Sequence, residues 1–270
     1  MRLVNFATAE GPRAGVFRDG RVFEVFDAPT GGLQGLVEAG WLDAVEAGPE
    51  VEDAELLPPI TRPGKVICIG LNYRAHAAEG GREAPEMPTF FAKFATSLRP
   101  AGATVELPRW SSKVDYEAEV AFVIGDRCKD VPAEQALQHV AGYTLLNDLS
   151  ARDYQFKTPQ WMPGKTFDGS APFGPALVTP DEAGPHDGIG IALDLNGERM
   201  QESSTADLVH SIPALVEYLS MLMTLEPGDV VATGTPEGVG SLRDPKVWLK
   251  PGDEVVVSSP QLGELRTTLA

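Results

Sequence analysis

The sequence predicts an α+β protein that is mainly β. Short apolar runs with β-branched residues recur along the chain, and each is bounded by turn residues. The chain contains 28 Gly and 23 Pro, and segments with helical spacing are few and short. With 270 residues, of which 43% are hydrophobic, the chain can bury a substantial core, which excludes disorder of the whole.

The start of the chain predicts a small α+β domain. Residues 1–27 alternate like short strands around turns, and residues 33–48 have helical spacing. Residues 49–63 are rich in acid and proline, which is typical of a linker. We therefore expect a small N-terminal domain over residues 1–57 and a larger domain over residues 58–270.

The larger domain carries most of the predicted strands. Apolar runs predict strands at 65–71, 114–125, 189–195, 229–233 and 253–258. Asn196-Gly197 is a strong signal for a hairpin turn. Helices are expected over PAEQALQHV, opened by Pro132, and over residues 212–223.

Composition excludes several classes of ligand and location. The formal net charge of −17 argues against nucleic acid and anionic membranes as partners. The apolar runs are far shorter than the roughly 20 residues that cross a bilayer, and the first residues lack the apolar core of a secretory signal. Cys68 and Cys128 have no metal or disulfide spacing. We expect a cytoplasmic protein that binds small molecules.

The segment KVDYEAEVAFVIG, residues 113–125, places Asp115, Glu117 and Glu119 at alternate positions of a predicted strand. Charges on one face of a strand lie about 7 Å apart and repel by only about 0.6 kcal/mol in water, but by about 2.4 kcal/mol at an effective dielectric of about 20. The row is harmless at a solvated edge and unfavourable in an enclosed site. Either water or a cation must therefore lie beside it.

A third carboxylate follows the apolar run in GYTLLNDLSARDYQ. Asp148 at the end of this run is either a turn former or helix N-cap, or a ligand that completes a cluster with Glu117 and Glu119. Three carboxylates without His or Cys describe a hard oxygen site. Such a site suits Mg²⁺ or Mn²⁺, with Ca²⁺ as a third candidate.

Other candidate residues lie in loops rich in glycine. His76 and Glu79 in GLNYRAHAAEGG are three residues apart, so a helical turn would place them side by side as a general base and its orienting carboxylate. The flanking glycines also fit a loop that closes over a ligand. Lys165 in GKTFDG offers the cation that an anionic substrate needs in so acidic a chain, although loop lysines are usually solvated.

Together these segments resemble the fumarylacetoacetate hydrolase superfamily, in particular its small bacterial two-domain members. The resemblance covers about residues 60–260. It rests on GLNYRAHAAE, PTFFAKFATSL, VDYEAEVAFVIG, VAGYTLLNDLSARDYQ, GKTFDGSAPFGP, LNGERMQESST and LEPGDVVATGTPEGVG.

The resemblance implies a mixed β-sandwich roll, a homodimer and a divalent metal held by Glu117, Glu119 and Asp148. It implies that His76 and Glu79 activate water and that Lys165 is a catalytic lysine. The positions implied to contact substrate are Lys93, Arg152, Gln155 and Thr235. The larger hydrolases carry a further acidic ligand before the catalytic His, which NYRAH lacks, so we expect water to complete the site.

The activity expected from the resemblance is hydrolysis of a C–C bond in an acylpyruvate, a small anionic 2-oxo acid, to give pyruvate and a second acid. Isomerisation of a 2-hydroxyhepta-2,4-diene-1,7-dioate and decarboxylation of oxaloacetate are alternatives, because the same site moves a proton or releases CO₂. A non-catalytic metal-binding dimeric scaffold is the alternative of a different class. It would require His76, Glu79 and Lys165 to be incidental.

Overall fold

The computed structural model describes residues 1–81 and 83–270, and it confirms an α+β fold that is mainly β. Two sheets of mixed strand direction pack face to face, and a short two-stranded ribbon lies beside them. The strands are β1 (Arg2–Phe6), β2 (Arg13–Arg18), β3 (Arg21–Val25), β4 (Ala47–Val51), β5 (Leu56–Leu57), β6 (Val66–Gly70), β7 (Thr89–Lys93), β8 (Leu98–Arg99), β9 (Thr104–Val105), β10 (Val114–Asp115), β11 (Ala118–Ile124), β12 (Val140–Asn147), β13 (Ser150–Ala151), β14 (Ala171–Val178), β15 (Gly190–Leu195), β16 (Glu198–Ser204), β17 (Val230–Ala232), β18 (Glu254–Ser259) and β19 (Gly263–Leu269).

The large sheet has the order β4-β3-β2-β1-β14-β12-β11-β17-β6-β7, with β5 paired to β1 and β8 paired to β14. The second sheet has the order β16-β15-β18-β19-β9. The hairpin between β15 and β16 turns at Asn196 and Gly197, which both have positive φ, so this sequence prediction is confirmed.

Strand β11 lies at the centre of the large sheet and is buried on both faces. Val120, Phe122 and Ile124 point into the core between the two sheets. Ala121 and Val123 point into a second core that also contains the N-terminal helix. Because side chains alternate along a strand, Glu119 lies on the same face as Ala121 and Val123.

The segment 113–125 is not one continuous strand. β10 ends at Asp115, and β11 begins at Ala118. Between them, the Glu117 amide donates to the Asn147 side chain and the Ala118 amide donates to Gln201. The expected row of three acids on one continuous strand is therefore wrong: the strand is interrupted after Asp115, and the group of close carboxylates contains Glu117 and Glu119 but not Asp115.

The N-terminal elements extend the large sheet, because β1 pairs with β14. The helix expected over residues 33–48 is shorter and ends at Glu38, since Gly40 adopts a positive φ that ends the turn. The expected linker over residues 49–63 contains β5 and the end of β4, both paired in the sheet. The boundary near residue 58 stays a prediction.

The helices are few and short. They are α1 (Gly32–Glu38), α2 (Arg74–Glu79), α3 (Arg152–Gln155), α4 (Pro180–Ala183) and α5 (Ile212–Leu222). The segment opened by Pro132 is a 3₁₀ helix over Ala133–His139 that packs against α5. Among the described residues there is no helix with the length and apolar character that crossing a bilayer requires.

Candidate active site

A cavity of about 410 Å³ opens between the ends of β11 and β12 and the loops around them. We call its buried polar lining the floor: Glu117, Glu119, Asp148, Arg152, Gln155, Lys165 and Thr235. We call its exposed lining the rim: Gly80, Lys113, Phe156, Leu242 and Lys246. Apolar side chains form the wall between them, including Ile69, Phe91, Trp161 and Val239.

The three carboxylates expected to bind a metal meet on this floor. Each of Glu117, Glu119 and Asp148 offers a carboxylate oxygen, and these oxygens lie within 4.8 Å of one another. Glu117 directly precedes β11, Glu119 lies at its start, and Asp148 directly follows β12, its antiparallel neighbour. The Asp148 amide also donates to the Glu117 carbonyl, which fixes the two acids side by side.

Two lysines hold Asp148 from opposite sides. Lys165 Nζ lies 2.8 Å from Asp148 Oδ2 and 2.5 Å from Glu117 Oε2, and it faces the cavity. Lys93 Nζ lies 2.8 Å from Asp148 Oδ1, and it also donates to the Ser170 carbonyl and hydroxyl. Lys93 is not part of the described cavity lining, and its buried ammonium lies beside Asp148; the expected contact of Lys93 with substrate stays a prediction.

Arg152 joins the floor to its supports. Its guanidinium lies 2.6 Å from Glu117 Oε1 and 2.9 Å from Asp115 Oδ2, and its Nη1 donates to the Gln155 side chain. Asp115 is fully buried and also accepts from the amides of Gly240 and Ser241. This aspartate therefore ties the loop after β17 to the floor.

When all four of its carboxyl groups are ionised, the buried cluster carries one more negative than positive charge. Its carboxylates are Asp115, Glu117, Glu119 and Asp148, and its cations are Lys93, Arg152 and Lys165. Glu119 is the member that has no ion-pair partner within the described residues; its Oε2 accepts only from the Gly234 amide. The cluster therefore has room for one further cation, beside Glu119.

The charges around the two glutamates drive their pKa values apart. Burial raises the pKa of Glu119, and the nearby charges of Asp148 and Glu117 raise it further. Burial also opposes ionisation of Glu117, but Arg152 and Lys165 outweigh it and hold the pKa of this carboxyl below its ordinary value. Burial lowers the pKa of Lys165, but the negative charges of Asp148 and Glu117 raise this pKa by more than burial lowers it. Lys165 therefore stays charged.

These residues fit a hard divalent cation. The donors are oxygen atoms of three carboxylates at mutual distances that one ion can span, and one of them lacks a cation. Neither His nor Cys is part of this donor set, which disfavours zinc or copper.

His76 and Glu79 form the pair expected from their spacing. They lie on α2, with His76 Nδ1 at 3.2 Å from Glu79 Oε2, and the His76 ring lines the cavity. Glu79 Oε1 accepts from the Gly238 amide. Asn72 bonds to the backbone of His210 and Thr233 and so anchors the chain just before the helix. These contacts hold both ends of GLNYRAHAAEGG, the segment that we expect to close over a ligand.

Thr235 lines the cavity and is held by a residue that the sequence did not single out. Gln201 on β16 donates to the Thr235 hydroxyl and to the Pro236 carbonyl, and it accepts from the Ala118 amide. It thereby links the second sheet to the start of β11. The rim lysines Lys113 and Lys246 are further lining residues that no local motif indicated.

Comparisons with known proteins agree with this fold and site. The family model described as fumarylacetoacetate (FAA) hydrolase C-terminal matches residues 65–270. A relative from Xenopus laevis, "Oxaloacetate tautomerase fahd2, mitochondrial", is 40% identical over 285 residues, which cover 98% of this chain and 89% of that protein.

Two solved structures are similar over the whole chain. Fumarylacetoacetate hydrolase from psychrophilic Exiguobacterium antarcticum has a TM-score of 0.88 at 34% identity, with coverage of 100% of this chain and 99% of that one. The 5-carboxymethyl-2-hydroxymuconate delta-isomerase from Mycobacterium smegmatis has a TM-score of 0.83 at 36% identity, with the same coverage.

The fold is a mixed β-sandwich roll, and its cavity contains a cluster of carboxylates. These two features together define the class of enzyme. The chain belongs to the fumarylacetoacetate hydrolase superfamily, as the sequence resemblance indicated.

Proposed function

We propose that this chain is a divalent-metal-dependent isomerase of 2-oxo acids. It moves a proton between the carbon next to the 2-oxo group and the oxygen of that group. One observation carries the proposal: His76, whose Nδ1 faces the Glu79 carboxylate, lines the same cavity as Glu117, Glu119 and Asp148. The names of the Xenopus laevis relative, a tautomerase, and of the Mycobacterium smegmatis structure, an isomerase, support it.

The three carboxylates would hold Mg²⁺ or Mn²⁺, with Ca²⁺ as the third candidate. Such an ion supplies a Lewis acid for the oxygens of the substrate's carboxylate and 2-oxo groups. It also supplies the positive charge that the buried cluster lacks.

His76 is the proposed proton carrier. Because Nδ1 faces Glu79, the neutral ring keeps its proton on Nδ1 and presents the lone pair of Nε2. Nε2 takes the proton from the substrate carbon and returns it to the oxygen, or performs the reverse transfer. The Glu79 carboxylate stabilises the imidazolium that exists between the two transfers, and the Gly238 amide fixes that carboxylate.

Lys165 is the proposed partner for the charge that develops on the substrate. Its ammonium is buried in the cavity lining and stays protonated beside Glu117 and Asp148. A fixed cation in a dry site stabilises an enolate without reorganising water. Arg152, Gln155 and Thr235 line the same cavity and are available to bind polar atoms of the substrate.

Hydrolysis of an acylpyruvate is the second candidate. The structure from Exiguobacterium antarcticum, which is named a fumarylacetoacetate hydrolase, favours it, and the His76–Glu79 pair is equally suited to deprotonate water. The overall similarity to a tautomerase over 98% of the chain makes isomerisation the better supported reading. Decarboxylation of oxaloacetate uses the same groups. A homodimer that binds one small anionic 2-oxo acid per site remains part of the proposal.

Product analysis separates the three reactions. The Mg²⁺-loaded protein is mixed with the enol form of oxaloacetate, and in parallel with an acylpyruvate. An isomerase removes the enol absorbance of oxaloacetate faster than buffer with Mg²⁺ does, and it releases pyruvate from neither compound above the rate in that buffer. Pyruvate from the acylpyruvate above that rate would establish hydrolysis instead, and faster release of pyruvate with CO₂ from oxaloacetate would establish decarboxylation.

A further inference from the structure

The rim of the cavity carries two positive charges at its exposed lining. Lys113 precedes β10, and Lys246 lies in the loop between β17 and β18. They are the charged side chains of the described rim, and neither has a carboxylate within ion-pair distance among residues 1–81 and 83–270. In a chain with a net charge of −17, two unpaired lysines at one opening require a reason.

The backbone beneath both lysines is fixed to the floor. The Leu249 amide donates to the Val114 carbonyl, and the Val247 amide donates to the Gly240 carbonyl. The Lys113 carbonyl accepts from the Arg152 amide. The two lysines, far apart in sequence, are thus mounted on neighbouring segments that are joined by hydrogen bonds.

The size of the cavity leaves space between floor and rim. A cavity of about 410 Å³ falls in the range of sites that hold ligands larger than a pyruvate unit. A pyruvate unit bound at the floor therefore leaves room for the rest of a longer substrate, which extends towards the rim. Apolar wall residues such as Ile69 and Phe91 suit the carbon chain of that substrate.

The acidic residues nearby do not cancel the rim charge. Asp153 also lines the cavity and keeps its negative charge, since the partner of its Oδ1 is the neutral Ser111 hydroxyl at 2.6 Å, but among the described residues it forms no ion pair with Lys113 or Lys246. The floor carboxylates are buried and are paired with Lys93, Arg152 and Lys165, apart from Glu119. Two lysines that face the same opening present donors to an anionic group.

We propose that Lys113 and Lys246 bind a second carboxylate at the far end of the substrate, so that this site selects 2-oxo diacids over 2-oxo monoacids. The inference rests on the proposed function, because it takes the 2-oxo end to lie at the floor. Selection arises in two ways. The two lysines attract the remote carboxylate of a diacid, whereas the neutral chain end of a monoacid leaves the repulsion between the two lysines uncompensated.

The test is the binding of matched pairs of acids by the Mg²⁺-loaded protein, measured by calorimetry. The diacids are oxaloacetate, 2-oxoglutarate and 2-oxoadipate, and the monoacid partners of equal chain length are 2-oxobutyrate, 2-oxopentanoate and 2-oxohexanoate. Binding is measured for the wild type, Lys113→Met, Lys246→Met and the double variant. Lys250→Met is the matched control, because Lys250 is an exposed lysine near Lys246 that lies outside the described cavity lining.

The wild type should prefer the diacid at one chain length or more. Each rim substitution should reduce that preference by up to about fivefold, as expected for an exposed ion pair, and the double variant should abolish it. Monoacid binding and the Lys250→Met protein should be unchanged. Equal affinity for both members of every pair, or a preference that survives in the double variant, would overturn the proposal.

The binding measurements and the measurement of enol conversion can refute the two proposals independently. If the wild type prefers diacids but does not accelerate enol conversion, the rim proposal stands and the proposed function is wrong. If it accelerates enol conversion with no preference between diacid and monoacid, the proposed function stands and the rim proposal is wrong.

Discussion

The floor and the rim of the cavity are held in different ways. The charged groups of the floor are buried carboxylates, a lysine and an arginine near the ends of central strands; with Lys93 behind them, all but Glu119 are paired within about one hydrogen-bond length. The rim is made of exposed side chains on segments whose backbone is held by hydrogen bonds. Charges on the floor therefore carry stability and chemistry, whereas charges on the rim are free to select a ligand.

This contrast predicts that the loss of one lysine lowers the free energy of unfolding strongly behind the floor and hardly at all at the rim. Lys93→Met removes the buried ammonium beside Asp148 Oδ1 and the Ser170 carbonyl and leaves Asp148 with Lys165 alone, so the free energy of unfolding should fall by about 3 to 5 kcal/mol. The exposed Lys113→Met should change it by no more than about 0.5 kcal/mol. Urea unfolding of both proteins without metal measures the difference. Similar losses in the two variants would remove the distinction between floor and rim.

The second prediction concerns Lys165, which belongs to the floor but also faces the cavity. Lys165→Met keeps most of the side chain and removes the ammonium. Losing a charge-assisted contact of about 2 to 3 kcal/mol implies a fall in kcat/KM of roughly 30- to 150-fold. The measurement is kcat/KM on the best substrate with metal present. An unchanged value would exclude Lys165 from the chemistry.

The third prediction concerns the cation that the floor lacks. Binding to the folded state alone stabilises a protein by about 2.7 kcal/mol at 100 times the dissociation constant. Mg²⁺ or Mn²⁺ should therefore raise the Tm of the wild type, and the shift should be absent in Glu117→Gln. Lys250→Met should respond like the wild type. Equal shifts in wild type and Glu117→Gln would refute the three-carboxylate site.

The smallest expected effect is the pH dependence of metal binding. The pKa of Glu119 is raised by burial and by its acidic neighbours, so without metal this carboxyl holds a proton to higher pH than usual. A metal ligand must be deprotonated, so metal affinity should increase as pH rises through that pKa, by up to about tenfold per pH unit for one proton. Calorimetry in buffers of different ionisation enthalpy measures the proton released. Release that persists in Glu119→Gln would assign the proton to another group.

The sequence predicted the floor better than the rim. Glu117, Glu119 and Asp148 follow or begin apolar strands, and the ends of paired strands meet, so short-range patterns suffice to bring them together. The position of Lys93 behind Asp148 depends on how β7 packs, which no local pattern encodes. Lys113 and Lys246 line the same cavity because the loop after β17 returns to Asp115 and Val114.

The same limit applies to the fold. The central strands and the Asn196-Gly197 hairpin are set by alternation and turn chemistry, so the sequence predicted them well. The N-terminal helix was predicted too long, because the apolar spacing over residues 39–48 continues past the point where Gly40 turns the chain. The supposed linker pairs with β1, a long-range contact that composition does not reveal.

The most direct test of the account is the exchange of hydrogen at C3 of oxaloacetate in D₂O, followed by NMR on the Mg²⁺-loaded protein. If His76 carries the proton, the wild type accelerates deuterium incorporation above the rate in Mg²⁺ buffer, and His76→Gln reduces this rate to the background while its Tm still rises on Mg²⁺ addition. Exchange in His76→Gln at the wild-type rate, or none above background in the wild type, would contradict it.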